Sequence, residues 1–124
     1  RLKDLDYYVR RRNENAEIYK HFLLSEKIRF QKVLANTKSA WRNFPIRVQN
    51  RNKIFDAVYS KNNSIKLNYL PPNHRDVCYK KKLDINYLKA TDKVSSEIIN
   101  LPCHQYMSEK EIINICEIIL NEIN

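Results

Sequence analysis

The residues best equipped for chemistry gather around a double proline. Asn68 and Tyr69 precede Pro71-Pro72, and His74 follows them. A tyrosine can stack on a ligand or donate to a phosphate oxygen. An asparagine donates and accepts without titrating, whereas a histidine titrates near neutrality. Arg47 lies in an apolar, β-branched stretch, where its guanidinium would hold a ligand carboxylate or pair with an internal acid. Arg75 and the run Lys80-Lys81-Lys82 add charge that attracts a diphosphate. Each residue also has a plainer role: Tyr69 packing on a strand, Asn68 turning the chain, His74 stapling a loop, the cations forming a solvated face. His104, before the last helix, and His21, on the first, read as structural. Cys78, Cys103 and Cys116 show no Cys-x-x-Cys spacing. They read as reduced thiols of a cytoplasmic protein, most of them packing residues, and no metal site is expected.

The 124 residues suit one domain, and 43% apolar residues suffice for a core. No apolar run is long enough to span a membrane, and no signal peptide is visible. The chain begins at Arg1 rather than Met, as expected of a processed, excised or truncated piece. Glycine is absent, which excludes a glycine-rich phosphate loop within this stretch and hands the turns to asparagine. The balance of 23 Lys+Arg against 14 Asp+Glu gives +9. Such a charge permits nucleic acid, an anionic membrane or a phosphorylated ligand without choosing among them. A basic nucleic-acid-binding module is one alternative; a protein-interaction domain without catalysis, driven by the long first helix, is another. Against the former, no helix-turn-helix or RNP-like pattern occurs and the basic residues form no single stripe.

The elements that must position these residues follow from periodicity. Leu2 to about Leu24 reads as a helix with Leu2, Leu5, Val9, Ala16, Tyr19 and Leu23 on one stripe, which the rest of the domain or a partner must cover. Ile28–Leu34 and Ala40–Val48 read as strands, with Trp41 and Phe44 in the core and Pro45 marking an edge or a bulge. Asn50 opens a helix from Arg51 to about Lys61, bearing Ile54, Phe55, Val58 and Tyr59 on one face, and Asn62-Asn63-Ser64 end it. Ile65, Leu67 and Tyr69 alternate as a short strand. His74 to Lys82 is a basic loop or short helix. Ala90–Ile99 reads as a helix capped by Thr91, and Leu101-Pro102 as a loop. Ser108 and Glu111 form a capping box before a helix carrying Ile112, Cys116, Ile119, Leu120 and Ile123. The expected class is α+β.

Four pieces, in order, resemble the DegT/DnrJ/StrS family of sugar aminotransferases. The opening helix carries Leu2, Leu5, Asp6, Arg11, Ala16, Tyr19 and Leu23 at the family's spacing. Ile46-Arg47-Val48 and Arg51 match its Ile-Arg-Val strand and the arginine that opens the next helix. Tyr69, Pro72, His74 and Tyr79 fit its His-Tyr-Pro-x-Pro-x-His motif, with Asn68 in place of the first histidine and Leu70 in place of a proline. Ala90, Leu101, Pro102, His104, Ser108 and Glu111 fit its ending.

The resemblance implies the C-terminal small domain, residues 1–124, of a fold-type I aminotransferase, with the large cofactor-binding domain absent from this stretch. Pyridoxal phosphate would be bound by that domain, so no cofactor and no activity are expected of these residues alone. The implied role is to help form the cleft for a nucleotide sugar, in making amino sugars for a lipopolysaccharide or related glycan. Tyr69, Asn68, His74 and Arg47 are the implied substrate contacts, and a homodimer without nucleic acid or membrane partners is the implied assembly.

Overall fold

The computed structural model describes residues 2–61, 64–68, 70–76, 78–79 and 88–124. A 3-10 turn, Leu2–Asp4, leads into α1, Leu5–Phe22. Then follow β1, Ile28–Phe30, β2, Asn43–Val48, and α2, Arg51–Lys61. A 3-10 turn at Asn73–Arg75 precedes α3, Lys89–Glu97, β3, Ile98–Pro102, and α4, Glu109–Ile123. The class is α+β, with a three-stranded antiparallel sheet in the order β1-β2-β3.

Alternation sets the two faces of β2. Phe44, Ile46 and Val48 are buried, while Asn43, Pro45 and Arg47 are half-buried on the other side. Ile46 sits opposite Ile99 and Phe44 opposite Leu101, so β3 extends the same apolar face. Tyr19 of α1 stacks on Phe44 at 5.1 Å, which brings helices over that face. α4 packs against both α1 and α2 through Ile112, Ile115, Cys116 and Ile119. Each fully buried isoleucine in this cluster stabilises the fold by roughly 1.5–3 kcal/mol. On the opposite face, the Arg47 guanidinium donates to Oε2 of Glu97 at the end of α3, at 2.6 and 3.0 Å.

The capping box forms as expected. Ser108 Oγ accepts from the Glu111 amide, and the Glu111 carboxylate accepts from the Ser108 amide at 2.8 Å. These bonds hold the Glu111 carboxyl below the usual carboxylate range. Asparagine does stand in for glycine at two turns, with φ of 62° at Asn36 and 53° at Asn50; Trp41, at 41°, shares the left-handed region.

Several expectations are corrected. Pro45 lies in the central strand, not at an edge or a bulge. Asn100, its partner on β3, directs both its amide and its carbonyl outward to Lys66, so Pro45 faces β3 as a non-hydrogen-bonded pair. Its missing N–H therefore points toward β1, which has already ended at Phe30 opposite Ile46. The Ile98–Pro102 segment is a strand rather than a helix end and a loop, because β2 offers a free ladder there. Thr91 lies inside α3 and does not cap it; Leu88 occupies the cap without a side-chain bond. Among the described residues of the expected strand at 65–69, the pairing is one bridge, Lys66 to Asn100. The stripe of α1 divides: Ala16, Tyr19 and Leu23 are buried, but Leu2 and Leu5 are 88% and 52% exposed. Cys103 and Cys116 are packed, and burial pushes both thiols up to about 12, whereas Cys78 is exposed.

Candidate functional site

The fold leaves a cleft of about 760 Å³ between the turn at Asn73–Arg75 and α3. Asn68, His74 and Tyr79 line one side; Thr91, Val94 and Ser95 of α3 line the other, with Ile98 beside them. The wall is mostly apolar with a few convergent polar groups, the usual make-up of a small-molecule site. None of the side chains of α3 is buried within the chain, so its apolar residues serve the cleft rather than the core.

The loop reaches this position through Pro71-Pro72, where the Leu70–Pro71 peptide is cis. Pro72 is extended, and its carbonyl accepts from the Arg75 amide at 2.7 Å, which winds the 3-10 turn. That turn buries His74 to 6% exposure and aims its Nε2 at Oδ1 of Asp92, 2.8 Å away. Arg75, next in the chain, grips both oxygens of the same carboxylate, with Nε at 3.0 Å from Oδ1 and Nη2 on Oδ2. Arg75 first, and His74 after it, hold the Asp92 carboxyl down at about 2. An ionised carboxylate only accepts, so Nε2 of His74 carries the proton.

The three candidate residues that the structure describes separate. Asn68 and His74 meet in this cleft. Tyr69 lies outside the described residues, as do Asn62, Asn63 and the Lys80-Lys81-Lys82 run. Arg47 is elsewhere, paired with Glu97 in a more polar cleft near Lys93 and Glu122. Asp92 was not among the candidates: its partners stand 17 and 18 residues away, and nothing local to α3 marks it. Tyr79 belonged to the family pattern but was not singled out as a ligand contact.

Pyridoxal phosphate would ask specific groups of these lining residues. Among the described ones there is neither a lysine for a Schiff base nor an arginine for a phosphate. This lining does not fit that cofactor. Arg51, which opens α2, is another matter: it is buried, and its Nε and Nη1 have no partner among the described residues. Burial lowers its pKa.

Comparison with known proteins supplies the frame. The model of the DegT/DnrJ/EryC1/StrS aminotransferase family matches residues 1–120. No curated protein matches the chain. The structure of DesV from S. venezuelae, in complex with a ketimine intermediate, superposes with a TM-score of 0.92 at 17% identity, covering 99% of this chain and 34% of DesV. A DegT DnrJ EryC1 StrS aminotransferase from Brucella abortus gives 0.87 at 23% identity, covering 99% of this chain and 33% of its own. Helicobacter pylori PseC, an aminotransferase involved in the biosynthesis of pseudoaminic acid, gives 0.86 at 20%, covering 98% and 34%. The likeness at these identities is one of fold, and the chain spans about a third of each relative's length.

Proposed function

We propose, on the premise that this chain belongs to the DegT/DnrJ/EryC1/StrS aminotransferase family, that it is the small C-terminal domain of a sugar aminotransferase. Its part is to wall the pocket for a keto sugar nucleotide. The observation that carries this reading is the meeting of Asn68 and His74 in one apolar-walled cleft of about 760 Å³. DesV, in complex with a ketimine intermediate, and PseC, an aminotransferase involved in the biosynthesis of pseudoaminic acid, support the same reading.

Pyridoxal phosphate, when bound by a separate large domain, supplies the electron sink for moving an amino group from a donor to the sugar. The residues described here bind and orient. Asn68 offers both a donor and an acceptor to sugar hydroxyls. His74 presents its remaining ring nitrogen, and Val94 and Ile98 keep water off the apolar edge of the ligand. Tyr69, next to Asn68, joins them as a proposed contact. Arg47 is held by Glu97 and serves the sheet. The proposed setting is the cytoplasm, the proposed assembly a homodimer, and the proposed product an amino sugar for a lipopolysaccharide or related glycan. No helix among the described residues is long and apolar enough to cross a membrane.

The test is an amination assay on the complete gene product, with pyridoxal phosphate, glutamate and a panel of keto sugar nucleotides. Turnover of one of them, with KM raised severalfold by Asn68→Ala, is the expected result. No turnover across the panel, together with nucleic-acid binding that falls steeply with salt, would replace this reading with the basic-module alternative.

A further inference from the structure

We propose that Asp92 is a positioning residue for the cleft: it fixes His74 in the Nε2–H form and locks the double-proline loop onto α3, leaving Nδ1 of His74 to meet the ligand. The inference rests on the cleft reading above and adds to it a residue that touches no ligand itself.

The geometry is specific in three respects. The carboxylate of Asp92 is shared, Oδ1 facing both His74 Nε2 at 2.8 Å and Arg75 Nε at 3.0 Å, while Oδ2 takes the other arm of the guanidinium. Two consecutive loop residues are thus tied to one helical side chain, and the loop cannot shift without breaking both bonds. His74 is buried and lines the cleft, and its ring is tied to Asp92 through Nε2, which leaves Nδ1 on the other side of the ring. A carboxylate on one ring nitrogen sets the tautomer and the orientation of the ring. Nδ1 then carries a lone pair that accepts from a sugar hydroxyl.

Arg75 has a separate duty. By balancing the charge of Asp92 it keeps a half-buried carboxylate in place beside the His74 ring. Replacing Arg75 therefore loosens the loop while leaving the tautomer in place. Replacing Asp92 loses both.

The test uses the complete gene product with ¹⁵N-labelled histidine at neutral pH, read by NMR, with UDP-glucose as the probe ligand. In the wild type His74 should show a protonated Nε2 and a bare Nδ1. Asp92→Ala should mix the two tautomers and weaken UDP-glucose binding about tenfold, the scale on which losing an outer-shell partner acts. Asp92→Glu should restore the tautomer at least partly. The methyl signals of Ile112 and Ile119 report whether each variant is folded. A wild-type His74 with its proton on Nδ1 overturns the proposal, whatever the variants do. So does an unchanged tautomer in a folded Asp92→Ala. A correct tautomer with no response to UDP-glucose supports the Asp92–His74 arrangement and counts instead against the nucleotide-sugar reading.

Discussion

Tyr19 and Pro102 join the first helix to the last strand: the phenol donates to the Pro102 carbonyl at 2.9 Å, 83 residues apart in sequence and fully inside the core. Burial pushes the Tyr19 pKa upward, so the phenol stays a donor throughout the working range. Tyr19→Phe keeps the stacking on Phe44 but leaves a buried carbonyl unmet. The expected loss is about 1–2 kcal/mol in urea unfolding, with an unchanged m-value. A loss below the error of the measurement would show that the carbonyl finds another donor.

The pairing of β2 predicts where proline is allowed. Position 45 tolerates it because its amide would lie past the last β1 pair, where the ladder asks for no donor. Ile46 lies one residue on, in a hydrogen-bonded pair with Ile99. Ile46→Pro should therefore remove a central ladder bond and core packing together, costing about 3 kcal/mol or more. Pro45→Ala should stay within about 1 kcal/mol. Circular dichroism melts of the two variants check the contrast, and equal melting temperatures would refute the register.

Thiol labelling separates the cysteines. Cys78 is exposed, whereas Cys103 and Cys116 are buried with thiols pushed up to about 12. With an aromatic disulfide reagent at neutral pH, one thiol should react at once and two only on unfolding. Rapid reaction of all three would contradict the packing of α4 and of the segment after β3.

Acid should open the cleft before the core. The Asp92 carboxyl lies near 2, below the ordinary carboxylate value of about 4. Its contribution is complete above the ordinary value and is lost as the pH falls through about 2. Below that range, the signals of Asn68, His74 and Thr91 should broaden or shift while those of Ile112 and Ile119 hold. Simultaneous loss of both sets would mean that the loop and the core are one cooperative unit.

The sequence made the helices α2 and α4 legible, since each pairs an apolar face with a local start signal. α4 announces itself through Ser108 and Glu111, three residues apart. β3 was hidden for the opposite reason. Val94 and Ile98 stand four apart, which reads as one more helical turn, and only pairing with β2, some fifty residues upstream, turns the chain into a strand. The same distance problem affects the site. His74 stood out by type and by its place after the prolines, but Asp92, an acid on a polar helix face, acquires meaning only when the turn at Asn73–Arg75 folds over it. On α1 the periodicity of the stripe was visible, yet periodicity does not say how far the body of the domain extends to cover it.

A chain without glycine has bent itself at Asn36 and Asn50 using the residue that accepts the left-handed shape best after the one it lacks. Each such bend gives up roughly 1 kcal/mol against what the smallest residue would allow. Thermal tolerance is therefore held in reserve at two surface corners, where exchange for glycine would raise the melting point without disturbing a single packed side chain.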